Sequence, residues 1–172
     1  SIFKVVEMSI YLHGENGITY SFLSDINNID KLHNLLSNIR WLDKKPKIAE
    51  IKEKFQTHLF PSFGRGQWGM GEPDGLIISD SSVFVIEIET SSLDKLPPNY
   101  FEQMNRFIQI GQYFEKSDRK KVGKQPLSII SDKKVKGKYR TRKIIQEILK
   151  KPTKTFYYVT ITSDHLSQNI NG

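Results

Sequence analysis

No cysteine occurs among the 172 residues. That one absence removes disulfides, thiolate metal sites and cysteine nucleophiles together. It fits a cytoplasmic setting, which is the expected location. No run approaches the roughly 20 consecutive apolar residues of a membrane span, so no membrane partner is expected. The opening Ser1-Ile2-Phe3-Lys4 lacks the apolar core of a signal peptide. A start without Met fits a fragment or a trimmed chain. Histidine is sparse: His13, His33, His58 and His165 are scattered without metal-ligand spacing. His58, near a glycine-rich stretch, is the one to follow. No Gly-x-Ser-x-Gly and no Ser-His-Asp ordering suggests a hydrolase triad. The glycine-rich stretch is not closed by Gly-Lys-Ser/Thr, so the P-loop fingerprint is missing.

Charge is present and unevenly placed. The chain carries a net +7. From Lys116 to Lys154 there are 15 Lys and Arg against Asp118, Asp132 and Glu147, a local +12 that leaves −5 for the rest. A strongly basic third beside an acid-rich remainder points to a polyanion such as nucleic acid. A solvated lysine-rich surface is the plainer alternative. Hydrophobic residues make up 37% and fall in periodic blocks, which argues a folded chain with a core.

Residues 2–12 and 17–23 read as two strands joined by hairpin-turn chemistry at His13-Gly14-Glu15-Asn16-Gly17. Ser24 or Asp25 is the expected cap of a helix with an apolar stripe of Ile29, Leu32, Leu36 and Ile39, flanked by Leu35 and Leu42. Pro46 breaks it. A second helix is expected over 47–59, with Ile48, Ile51, Phe55 and Leu59 on one face. The glycine density of 61–75 means an irregular loop or short bulged strands. Residues 74–79 and 83–89 form a hairpin around Ser79-Asp80-Ser81-Ser82. A helix follows over about 100–115, with Phe101, Met104, Phe107, Ile108, Gly111 and Phe114 inward. Then come a strand at 126–132, a basic helix at about 139–150 and a strand at 154–164. The expected class is α/β, a mixed sheet flanked by helices. Its parts are an N-terminal hairpin-and-helix appendage over 1–46, a core over 47–164 and a flexible tail over 165–172. The appendage suits dimerisation or target recognition.

The hairpin carries the chemistry. Side chains alternate along a strand, so Val83, Val85, Glu87 and Glu89 share one face. Asp74 begins the partner strand and is expected across from Glu87. Three carboxylates then converge. Like charges this close repel unless a cation intervenes, and hard oxygen ligands suit magnesium or manganese, or calcium. The plain alternative is a solvent-facing pair of glutamates bonded to lysines; Val83 and Val85 on the same face argue against it.

Pro73-Asp74, twelve residues, then Glu87-Ile88-Glu89 resembles the PD-(D/E)XK nuclease superfamily, of restriction-endonuclease-like fold. The resemblance covers about 48–132, just under half the chain. It implies a divalent-metal-dependent endonuclease acting on phosphodiester bonds, with Mg²⁺ or Mn²⁺ as cofactor. The expected substrate is DNA, with RNA as the alternative, in restriction, repair or phage defence. It implies metal binding by Asp74 and Glu87 with the Ile88 carbonyl, and a catalytic role for Asp74, Glu87 and Glu89. The usual lysine is replaced by Glu89, a form some active restriction endonucleases carry; Lys95 or Lys133 could substitute. A catalytically inactive nucleic-acid-binding module on the same fold is the alternative, and an interaction domain with an incidental acidic hairpin is a third reading. A homodimer or a place in a larger nuclease assembly is compatible with either nuclease-fold reading. Gln109 and Tyr113 resemble the Q-x3-Y motif of RecB-type members, where both face nucleic acid. Glu102, Arg106, Gln109 and Tyr113 share one helical stripe.

Other candidates come from residue type. Arg65 and Gln67 can read base edges, and Trp68 can stack on a base; a core Trp in a glycine loop is the equal alternative. Lys138, Arg140, Arg142 and Lys143 on the basic helix suit phosphate contacts. Glu50 and Glu53 could add an acid, but their helical phase favours a solvated face.

Overall fold

The computed structural model describes residues 15–42, 44–52, 54–61, 63, 71–115, 144, 147–148 and 154–162. The expected strands at 2–12 and 126–132, loop residues Arg65, Gln67 and Trp68, Lys133, the basic residues 138–143 and the tail lie outside them.

Four strands form one mixed sheet in the order β1-β2-β3-β4. They are β1 (Phe55–Leu59), β2 (Gly75–Ser79), β3 (Ser82–Glu89) and β4 (Thr155–Thr162). The first three run antiparallel; β4 runs parallel to β3, with Glu87 beside Thr160 and Glu89 beside Thr162. The hairpin closes where it was expected, over Asp80-Ser81. The Ser79 hydroxyl accepts from the Ser82 N–H at 3.0 Å, fixing the turn.

Helices α1 (Glu15–Asp25) and α2 (Ile29–Asn38) cover one face, and α3 (Tyr100–Glu115) lies on the other. The first face joins Leu23, Leu32 and Leu36 to Ile77, Phe84, Ile86 and Ile88 in one core. The second joins Phe107 and Ile110 of α3, with Ile144 and Ile148, to Leu76, Ile78, Val83 and Val85. Described residues of the N-terminal segment therefore share a core with the sheet.

Four expectations are corrected. Residues 17–23 are helical: Thr19, Leu23 and Ile26 are buried at helical spacing, and packing overrides the β propensity of Ile, Thr, Tyr and Phe. Residues 47–59 are a 3-10 turn, Ile48–Glu50, followed by strand β1. Phe55 and Leu59 stand four apart, a spacing that keeps two residues on one face in either a helix or a strand. Pairing with β2 decides for the strand. The α2 cap is also displaced: Asn28 accepts from the Lys31 N–H at 3.0 Å, in place of Ser24 or Asp25. Phe101, expected inward, is 71% exposed.

Candidate functional site

The α3-facing side of the sheet changes character along its length. On β3 it reads Val83, Val85, Glu87, Glu89; on β4, Phe156, Tyr158, Thr160, Thr162. The apolar half packs under α3 and the polar half lies at one end. Glu87 is 4% exposed and Glu89 7%, which rules out a solvated face for either. Burying two carboxylates costs several kcal/mol unless polar partners or a cation compensate.

Asp74 completes the set. One step beyond the Gly75–Ile86 pair, the antiparallel register places Asp74 opposite Glu87. Its Oδ2 accepts from the Ile88 N–H at 2.8 Å. A side-chain carboxylate thus takes over the ladder where β2 ends, and it sits on the backbone between the two glutamates. Two neighbours hold it. The Phe60 N–H donates to the Asp74 carbonyl at 2.8 Å, and Phe60 has φ +48°, a conformation costly for a bulky residue. Gly75 lets α1 approach: a Cβ there would lie 2.3 Å from Leu23 Cδ1.

From above, the first turn of α3 closes the polar end. Gln103 donates through Nε2 to Glu87 Oε1. The Tyr100 hydroxyl bonds the Thr160 hydroxyl. Burial raises the Tyr100 pKa; the bond to Thr160 opposes this, and the charges of Glu89 and Glu87 raise it further. The phenol is therefore a neutral hydrogen-bonding group throughout the physiological range. The sign of its pH effect follows. A folded pKa above the ordinary 10.0 contributes stability that is complete below pH 10.0 and fades as pH climbs through the folded value. In a phenolate absorbance titration, the Tyr100→Phe difference curve should show a phenol ionising above pH 10.0. A difference centred at or below that value would place Tyr100 away from the glutamates.

The sequence points to Asp74, Glu87, Ile88 and Glu89, and the fold brings these four to one place. It places the other candidates elsewhere. Gln109 is exposed on α3, and Tyr113 lies nearly three turns beyond Gln103, the residue of that helix bonded to Glu87. Arg106 pairs with Glu102 at 2.5 Å on the outer face. Glu50 pairs with Lys47 at 2.8 Å, both exposed. Lys95 is exposed in the 3-10 turn Leu93–Lys95. His58 sits within β1 opposite Leu76. Sequence reasoning missed Tyr100, Gln103 and Thr160. A signal existed: Gln103 is a polar residue on the stripe of Tyr100, Phe107 and Ile110, and Thr160 extends an alternation that begins at Phe156.

The donors are all hard oxygens, the kind that hold magnesium or manganese. Among the described residues no group of three or more His, Asp or Glu has metal-holding geometry. Two carboxylates fit a magnesium-type ion better than a closed cage would, because that ion takes one or two carboxylates and fills its shell with water and substrate phosphate. No described helix is long and apolar enough to cross a membrane. No family model, curated protein or solved structure matches the chain.

Proposed function

We propose that this chain is a divalent-metal-dependent nuclease of the PD-(D/E)XK type that hydrolyses phosphodiester bonds, with DNA as substrate. The observation that carries the reading is the Asp74 carboxylate seated on the Ile88 N–H, opposite Glu87 on the sheet face that Glu89 also occupies, with both glutamates buried. A purely structural polar end would have no need of three acids on one face, because their mutual repulsion works against the fold.

Asp74 and Glu87 would hold Mg²⁺ or Mn²⁺, with the Ile88 carbonyl as a further oxygen. The ion supplies Lewis acidity at the phosphate and eases deprotonation of water. The chain's own groups do the rest. The Ile88 N–H orients Asp74, and Gln103 orients Glu87. Glu89 positions water and accepts its proton. Tyr100 and Thr160 supply neutral hydroxyls on the β4 side, and α3 limits access of bulk water. The basic segment 116–154 anchors the phosphate backbone.

The test is cleavage of duplex, single-stranded and branched DNA with and without magnesium. Magnesium-dependent cutting is the expected result, and its absence on all three substrates would overturn the reading.

A second reading, a catalytically inactive nucleic-acid-binding module, is favoured by one specific feature: Glu89 stands where the resembled family carries lysine. Glu89→Lys separates the two. On the nuclease reading Glu89 works as it stands, so the substitution should lower the cleavage rate by about 10²-fold or more, the size of a lost general base. A gain of cutting in the variant alone would show that Glu89 leaves the parent site inactive, in favour of the second reading. Equal inertness of both would favour the binding module.

A further inference from the structure

A cavity of about 690 Å³ runs along β4 and reaches the acidic site, since Tyr100 and Thr160 belong to both. Its other wall is the segment after α2: Arg40, Trp41, Leu42 and Lys44. The volume lies within the range of about 300–1,000 Å³ usual for ligand sites. Three properties describe what it can hold. First, its described lining residues include Arg40 and Lys44 and no Asp or Glu; Asp43, between Leu42 and Lys44 in the chain, lies outside the described residues. Both cations are exposed, and neither makes an ion pair among the described residues. Second, Trp41 is half-buried and fixed: its Nε1–H donates to the Leu36 carbonyl at 3.1 Å, and its ring meets Tyr157 edge-on at 5.6 Å. Third, Leu42 beside it is 90% exposed, an apolar side chain held out into solvent.

We propose that this groove binds an unpaired nucleic-acid strand and feeds it to the carboxylate site. Phosphates meet Arg40 and Lys44, and a base lies against Trp41 and Leu42. The two exposed cations, which make no ion pair among the described residues, favour a polyanion. The rigid indole selects an open base face, which a single strand presents and an intact duplex hides within its stack. The inference rests on the nuclease reading for its direction toward Tyr100 and Thr160, but the binding itself is independent of catalysis.

The experiment therefore measures binding without divalent metal. Fluorescence anisotropy of a fluorescein-labelled oligo-dT of about 12 nucleotides, within single-strand site sizes, is compared with a dT·dA duplex of equal length. The full chain should prefer the single strand. The Arg40→Ala/Lys44→Ala double variant, altered at exposed positions, should bind it about tenfold more weakly at low salt. Its slope of log affinity against log salt should flatten by about 1.4, the loss of two phosphate contacts to a single strand. The absence of cysteine allows a second readout: a fluorophore on Leu42→Cys should change its emission when oligo-dT binds. Duplex preference, an unchanged affinity and slope, or a silent label during binding would each overturn the groove. The two readings fail separately. Single-strand binding through Arg40 and Lys44 with no cutting in magnesium keeps the groove and sinks the nuclease; cutting with the double variant's affinity intact does the reverse.

Discussion

Asp74→Asn should abolish magnesium-dependent cleavage, lowering the rate by about 10³-fold or more, while leaving the fold and DNA affinity nearly intact. The asymmetry follows from what each atom does. An amide oxygen at this position can still accept from the Ile88 N–H, so the contact at 2.8 Å that ends the β2–β3 ladder survives. Alanine would instead strip a buried N–H of its acceptor, at about 1–3 kcal/mol. What asparagine cannot supply is the anionic oxygen. A hard cation is held chiefly by charge at this site, and the transition-state stabilisation lost with it is of the size seen when a single electrostatic contact is removed, about 10²–10³-fold, with loss of the ion itself adding to that. Stability gives a readout that does not depend on turnover. Neutralising one of three adjacent acids relieves repulsion, so the metal-free variant should melt no lower than the parent. Manganese should raise the melting temperature of the parent by mass action on the folded state, and that rise should vanish in Asp74→Asn. A variant that still cuts, or that is still stabilised by manganese, would remove Asp74 from the metal.

How far the site could be foreseen depended on which interactions carry it. The hairpin was legible because its information is local: a four-residue turn, strict alternation, and two acids at the same parity on one strand. Register then follows from the turn, so Asp74 opposite Glu87 needs no knowledge of the rest of the chain. The segments around it were not legible for the opposite reason. Residues 17–23 carry strand-forming side chains, and only the sheet beneath Thr19 and Leu23 makes them helical. Residues 55–59 fit two periods at once, and only the partner strand β2 decides between them. Within α3 the helix itself was legible but its rotation on the sheet was not. A motif-based reading singles out Gln109 and Tyr113, whereas the turn that reaches Glu87 is that of Tyr100 and Gln103. That phase is set by where α3 touches β4, a long-range contact with no local signature except a glycine inside the helix, near its C-terminal end.

That glycine supplies the second large effect. A Cβ on Gly111 would lie 2.0 Å from the Tyr158 hydroxyl and 3.0 Å from Phe156 Cβ. The hydroxyl could swing aside only by giving up its bond to the Ile108 carbonyl at 3.2 Å. Phe156 Cβ cannot move without its strand, and its ring is stacked on Phe114 at 5.6 Å. Two terms compete on substitution. Replacing glycine by alanine inside a helix gains about 1 kcal/mol of propensity; overpacking costs about 1–3 kcal/mol. Alanine should therefore be mildly destabilising, the two terms nearly offsetting. Valine adds two methyl groups into the same contact and forfeits part of the propensity gain through its β-branch, so Gly111→Val should lose the full overpacking cost. At this chain length each kcal/mol corresponds to about 2–4 °C, which thermal melts resolve readily. Gln112→Val, at the exposed neighbouring position, serves as the control for propensity alone and should shift little. The functional consequence is larger than the thermal one. Lifting α3 at Gly111 tilts the whole helix, and its first turn carries Gln103 to Glu87 and Tyr100 to Thr160. Cleavage by Gly111→Val should fall by more than its unfolded fraction explains, and the Tyr100 phenol should titrate closer to the ordinary 10.0 as the ring leaves its buried place. Should the valine variant melt with the parent and keep the raised phenol, α3 would not rest on β4 through Gly111, and the seating of Tyr100 and Gln103 over the carboxylates would fail with it.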